Sequence, residues 1–174
     1  MLNPARRNAR ERALELLYEA EIKKLTVAEV LAAIPLAPDP FAVELVTGVA
    51  RNQSLIDADI TAHLRAGWSL HRLATIDRLV LRLGIEELRH NLDTPTAVVL
   101  DESVRLAKGF SSEESAKFVN GVLAAIARKV RPDASDVLPD FADIGRDDGA
   151  DGADGADGQD QGMRLEDEPI TGLD

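Results

Sequence analysis

Thr75-Ile76-Asp77-Arg78-Leu79-Val80-Leu81-Arg82-Leu83-Gly84-Ile85-Glu86-Glu87-Leu88 decides the fold. Ile76, Leu79, Val80, Leu83 and Leu88 fall on one side of a helix and have no strand-like alternation. Downstream, Pro95 opens a helix carrying Ala97, Leu100, Val104 and Ala107, which Gly109 closes. Ser111 and Glu114 form a capping-box pattern for a last helix through Val119, Leu123, Ile126 and Val130, stopped by Pro132. Upstream, Leu55, Ile56, Ile60 and Leu64 mark a helix ending at Gly67, and Asp39-Pro40 opens another through Leu45, Val46 and Val49. Thr26 and Glu29 cap a short helix that stops near Pro35. Asn3-Pro4 opens the first helix, with Ala9, Ala13, Leu16, Leu17 and Ala20 as its apolar stripe. Val98-Val99-Leu100 is the nearest thing to a strand, and it lies inside a helical pattern. About seven helices joined by short loops predict an all-α bundle.

Charge divides the 174 residues in two. Residues 1–131 carry 18 Lys/Arg against 17 Asp/Glu, whereas residues 132–174 carry 2 against 14. The low pI therefore belongs to the tail, which also holds 7 of the 12 glycines. Residues 1–132 are predicted to form the helical domain and 133–174 a disordered acidic tail, because the tail has too little apolar surface to offset ordering entropy. Its repeat GADGADGADGQD, Gly149 to Asp160, spaces aspartates every third residue, whereas a calcium loop needs ligands at alternate positions and a closing glutamate. It also lacks the length and proline of collagen.

The absence of cysteine excludes disulfides, thiolate metal sites and a cysteine nucleophile, and suits a reducing cytosol. No run of apolar residues is long enough for a spanning helix, and the arginine-rich start is unlike a secretory signal. A cytoplasmic protein is expected. Nucleophile elbow, phosphate loop and dinucleotide fingerprint are missing. His63, His71 and His90 lie in separate segments without metal-ligand spacing. Asp101 and Glu102, adjacent on a helix, point about 100° apart and cannot converge on one atom. Neither catalysis, a metal nor a cofactor is expected.

The first helix instead suggests nucleic acid. Arg6, Arg7, Arg10 and Arg12 are opposed only by Glu11 within the first twelve residues. Arg6 and Arg10 lie about 40° apart on the helical wheel, and Tyr18 about 20° from Arg7. Guanidiniums grip phosphate and an aromatic ring stacks on an unpaired base. In the last helix, Phe118 stands at the flank of the apolar side beside Lys117, which fits either a finished core or a base-stacking ring.

Three blocks resemble the NusB family of bacterial transcription antitermination factors, and they occur in family order. They are Ala5-Arg6-Arg7-Asn8-Ala9-Arg10 leading to Ala13-Leu14-Glu15-Leu16-Leu17-Tyr18, then Ile76 to Leu88, then Leu106-Ala107-Lys108 followed by Ser115-Ala116-Lys117-Phe118-Val119-Asn120-Gly121-Val122-Leu123. The resemblance covers residues 4–132. It implies an all-helical fold of two small subdomains and a non-enzymatic role. The implied ligand is the single-stranded boxA element of leader RNA, bound jointly with the ribosomal protein NusE within the RNA polymerase antitermination complex. It places Arg6, Arg7, Arg10, Tyr18, Lys117 and Phe118 at the RNA, and Asp77 and Glu87 toward NusE. Asn8 stands where the family often has another arginine, and Glu86 where it often has an aromatic. A homodimer is left open. Two other readings are a helical protein–protein scaffold, and a module related to the domain in front of RNA cytosine methyltransferases.

Overall fold

The computed structural model describes residues 4–132; the acidic tail and its glycine–aspartate repeat lie outside the described residues. The described chain runs α1 (Pro4–Lys23), α2 (Val27–Ala32), α3 (Pro40–Ala62), a 3-10 turn (Leu70–Arg72), α4 (Thr75–His90), α5 (Thr96–Phe110) and α6 (Glu113–Val130), with no strand among the described residues. The all-α expectation holds, with six α-helices in place of about seven. The two helices expected between Asp39 and Gly67 are one. No breaker stands between Val49 and Leu55, and Leu45, Val49, Ile56 and Ile60 share a buried face that continuous helix keeps in register.

Several helix ends follow the sequence rules. Asp39 accepts a hydrogen bond from the Phe41 amide at 2.8 Å, and Pro40 opens α3. Thr26 and Glu29 form the reciprocal capping box, whose hydrogen bonds hold the Glu29 carboxyl below its ordinary pKa. The cap of α6 differs from expectation. Helix α5 runs past Gly109 through Phe110, so Ser111 ends it, and Ser112 accepts from the Ser115 amide at 3.1 Å.

Helix α4 is the centre. Every residue from Asp77 to Leu88 is buried, because α1 and α3 pack on it as one group and α5 and α6 as a second. Within one compact unit, the two packing groups meet on α4. Its polar residues survive burial by being partnered. Arg78 reaches Glu21 at 2.8 Å, Arg82 holds both Asp57 oxygens at 2.8 and 2.9 Å, and Glu86 accepts from Asn52 at 3.0 Å.

Gly84 lets α4 approach α5 and α6. A Cβ there would lie 2.8 Å from Leu123 Cδ1 and 2.9 Å from Ser103 Oγ. Gly84→Ala gains about 1 kcal/mol of helix propensity but incurs about 1–3 kcal/mol of overpacking. A net destabilisation, larger for Gly84→Val, is expected from urea unfolding midpoints; a more stable alanine variant would contradict this packing.

Candidate nucleic-acid interface

Paired side chains fix the directions of the helices around α4. Arg10 pairs with Glu87 and Glu21 with Arg78, so α1 runs antiparallel to α4. Ser115 bonds Asp77 and Arg131 bonds the Leu88 carbonyl, so α6 runs parallel to it. The arginines of α1 therefore sit at the C-terminal end of α4, and Phe118 near its N-terminal end. Tyr18, about 12 Å along α1 from Arg10, approaches the Phe118 level.

The arginines do not form one free strip. Arg10 is 4% exposed, and both its Nε and its Nη2 bond the Glu87 carboxylate. Its Nη1 lies 4.0 Å from Glu102, and its guanidinium 5.4 Å from the Phe41 ring centre. This corrects the wheel-based placement of Arg10: burial against α4 consumes its donors. Arg7 donates Nε and Nη2 to Glu102, with Nη2 at 2.9 Å from Oε1. Glu102, by hydrogen bond and then charge, raises the Arg7 pKa further above its ordinary value. A third of the Arg7 side chain stays exposed (34%), leaving the Nη1 edge for a ligand. Arg6 donates Nη1 to Thr94 Oγ1 at 3.0 Å and lies 5.0 Å from the Phe41 centroid. Beside it opens a groove of about 700 Å³ that includes Phe41, His90, Asn91 and Leu92 in its lining.

At the other end, Tyr18 is 42% exposed, and Lys117 is exposed, its ammonium close enough to Glu113 to add a little to the lowering of that carboxyl's pKa, which Lys108 chiefly causes. Phe118 is half-buried and packs on the core, with part of its ring left outside. Asp77 and Glu87, expected to face NusE, lie inside. Glu87 is 3% exposed and occupied by Arg10. Asp77 is 8% exposed and accepts from Ser115 Oγ at 2.9 Å, while its other oxygen is buried without a partner. Both sit on a helix covered on all sides, which excludes them from a surface.

Sequence reasoning missed Glu102, Thr94, Phe41 and Arg131, which hold the arginine end together. Among the described residues there is no cluster able to hold a metal ion, and no helix is long and apolar enough to cross a membrane.

Residues 7–128 match the NusB family. Over 127 residues the chain is 48% identical to the transcription antitermination protein NusB of Acidothermus cellulolyticus, covering 71% of this chain and 87% of that protein. Among solved structures, T. maritima NusB is similar at TM-score 0.66 and 34% identity, covering 74% of this chain and 94% of that one. A chain in a crystal structure of the antitermination factors NusB and NusE with double-stranded RNA is similar at TM-score 0.62 and 31% identity, over 74% of this chain and 99% of that one. With the helical core and its charged partners falling inside the matched span, the chain belongs to the NusB family.

Proposed function

We propose that this chain is a non-enzymatic RNA-binding adaptor in transcription antitermination, binding boxA leader RNA together with NusE during ribosomal RNA synthesis. The observation that carries this reading is its similarity, along nearly the whole matched chain, to a protein crystallised with NusE and RNA. The surface is compatible with it. Arg6 and Arg7 offer partly open guanidiniums, Lys117 an exposed ammonium, and Tyr18 and Phe118 rings within reach of solvent.

The roles divide by burial. Arg6, Arg7 and Lys117 would hold phosphates, and Tyr18 and Phe118 would stack on bases. Glu102 neutralises part of the Arg7 charge, so Arg7 contributes a pre-oriented fork more than net attraction. Arg10 positions α1 on α4 and would not touch the RNA. Asp77 and Glu87 would serve a NusE surface from within, by fixing α6 and α1.

The test is the affinity for a single-stranded boxA-type RNA, with and without NusE, across salt concentrations. The logarithm of affinity should fall against the logarithm of salt with a slope of about −0.7 for each phosphate held. Phe118→Ala should weaken binding about tenfold, as loss of one stacked base does. Unchanged affinity in both Phe118→Ala and Arg7→Ala, with NusE still bound, would favour the scaffold reading.

A further inference from the structure

The connection between α3 and α4 carries a second basic and aromatic cluster. From Ile60 to Ile76 the sequence has no Asp or Glu, but it has Arg65, Arg72, His63 and His71 and the protein's one tryptophan, Trp68. The Trp68 amide donates to the Arg65 carbonyl at 3.0 Å, and Gly67 takes φ +84°. This is a type II turn with glycine at its third position, which brings the Cα atoms of residues 65 and 68 within about 7 Å. Arg72 folds back and places Nη1 3.4 Å from the Gly67 carbonyl, at the same turn. The turn thereby sets the backbone of Arg65 beside that of Trp68 and holds the Arg72 guanidinium at the same place.

The turn is anchored from beneath. Leu73 is buried and Leu70 packs on the core, while Arg78 Nη1 lies 3.5 Å from both of their carbonyls. These leucines take the core-facing positions and leave the indole outside, 55% exposed. Arg65 and Arg72 are exposed, and neither has a carboxylate partner among the described residues. Seven described arginines pair with an acid, and Arg51 and Arg128 are exposed without one as Arg65 and Arg72 are, so what distinguishes this turn is the exposed indole beside its arginines.

We propose that the Arg65–Trp68 turn, with Arg72 folded onto it, is a second docking point for a nucleic-acid strand, in which an unpaired base stacks on Trp68 and the guanidiniums hold the adjoining phosphates. It rests on the RNA-binding reading above and extends it to a surface that reading does not use. An acidic peptide would satisfy the arginines but offers the indole a flat ring only where an aromatic residue happens to fall beside its acids. A nucleotide strand supplies an anion and a flat ring at every residue.

Because Trp68 is the one tryptophan, its emission reports on this turn alone. The full chain is titrated with a labelled single-stranded boxA-type RNA, and label anisotropy and tryptophan emission are read together. Emission should be quenched along the same saturation curve as the anisotropy. Trp68→Ala should weaken binding about tenfold with unchanged helical circular dichroism. The double variant Arg65→Gln/Arg72→Gln should flatten the salt slope by about 0.7 for each phosphate it no longer holds. RNA binding with unaltered emission and wild-type affinity in both variants would overturn this role for the turn and leave the adaptor reading standing. No anisotropy change, either alone or with NusE added, would remove both. Emission that responds to NusE without RNA, and not to RNA, would make the turn a protein-docking surface instead.

Discussion

Arg10→Ala is expected to lower the unfolding free energy by about 3–5 kcal/mol, the usual cost of removing one partner from a buried ion pair. The magnitude follows from what remains. Glu87 and Glu102 are each about 3% exposed, and without Arg10 the Glu87 carboxylate loses the two hydrogen bonds that the guanidinium donates to it. The removed side chain also vacates its place near the Phe41 ring. Total stability for a domain of this size is about 5–15 kcal/mol, so the loss is a large fraction of it. Urea unfolding followed by circular dichroism measures it. Arg12→Ala is the control, since the Arg12–Glu15 pair is exposed and its removal should cost less than about 1 kcal/mol. RNA affinity of the folded Arg10→Ala fraction should stay close to wild type, because Arg10 is spent on holding α1 to α4. Intact stability together with lost affinity would reverse this assignment and return Arg10 to the RNA surface.

Arg10 also shows how much of the site is legible in the sequence. Its burial can be read there: it stands seven residues before Leu17, about 20° from it on the wheel, and three before Ala13. The clustering of arginines around it suggests an open strip instead and obscures that position. Glu102 has no catalytic geometry with its neighbour Asp101, and its actual partner Arg7 lies 95 residues away, beyond any local pattern. Helix starts are legible where local side chains make the cap, as at Thr26 and Asp39. The continuity of α3 is legible too, in the missing breaker and the in-register Leu45, Val49, Ile56 and Ile60, but the polar stretch from Arg51 to Ser54 masks it. The central helix is found by its apolar side, yet its polar side is buried too. The pairing of Asp57, Glu21 and Asn52 with Arg82, Arg78 and Glu86, and of Arg10 and Ser115 with Glu87 and Asp77, makes that possible. Periodicity leaves Phe118 open between core and surface, and the structure places it half-buried, between the two alternatives.

Arg131→Ala should cost about 2–4 kcal/mol, through the loss of several charged hydrogen bonds to backbone acceptors. One guanidinium donates to four carbonyls: Leu88 at 2.6 Å, Thr94 at 2.7 Å, Asn91 at 2.9 Å and Glu87 at 3.0 Å. The last carbonyls of α4 have no partner within their own helix, and a cation there also complements the negative end of the helix dipole. Arg131→Lys should recover only a minor part, since an ammonium lacks the planar fork that spans separate acceptors. The consequence extends to the arginine end of the candidate interface. Thr94 gives its carbonyl to Arg131 and its hydroxyl to Arg6, so loosening one loosens the other. Arg131→Ala should therefore speed amide exchange at the end of α4 and weaken RNA binding in the same variant. Faster exchange with unchanged RNA affinity would show that the Thr94 bond does not hold Arg6 in its binding position, and that Arg6 keeps that position by its packing on Phe41 alone.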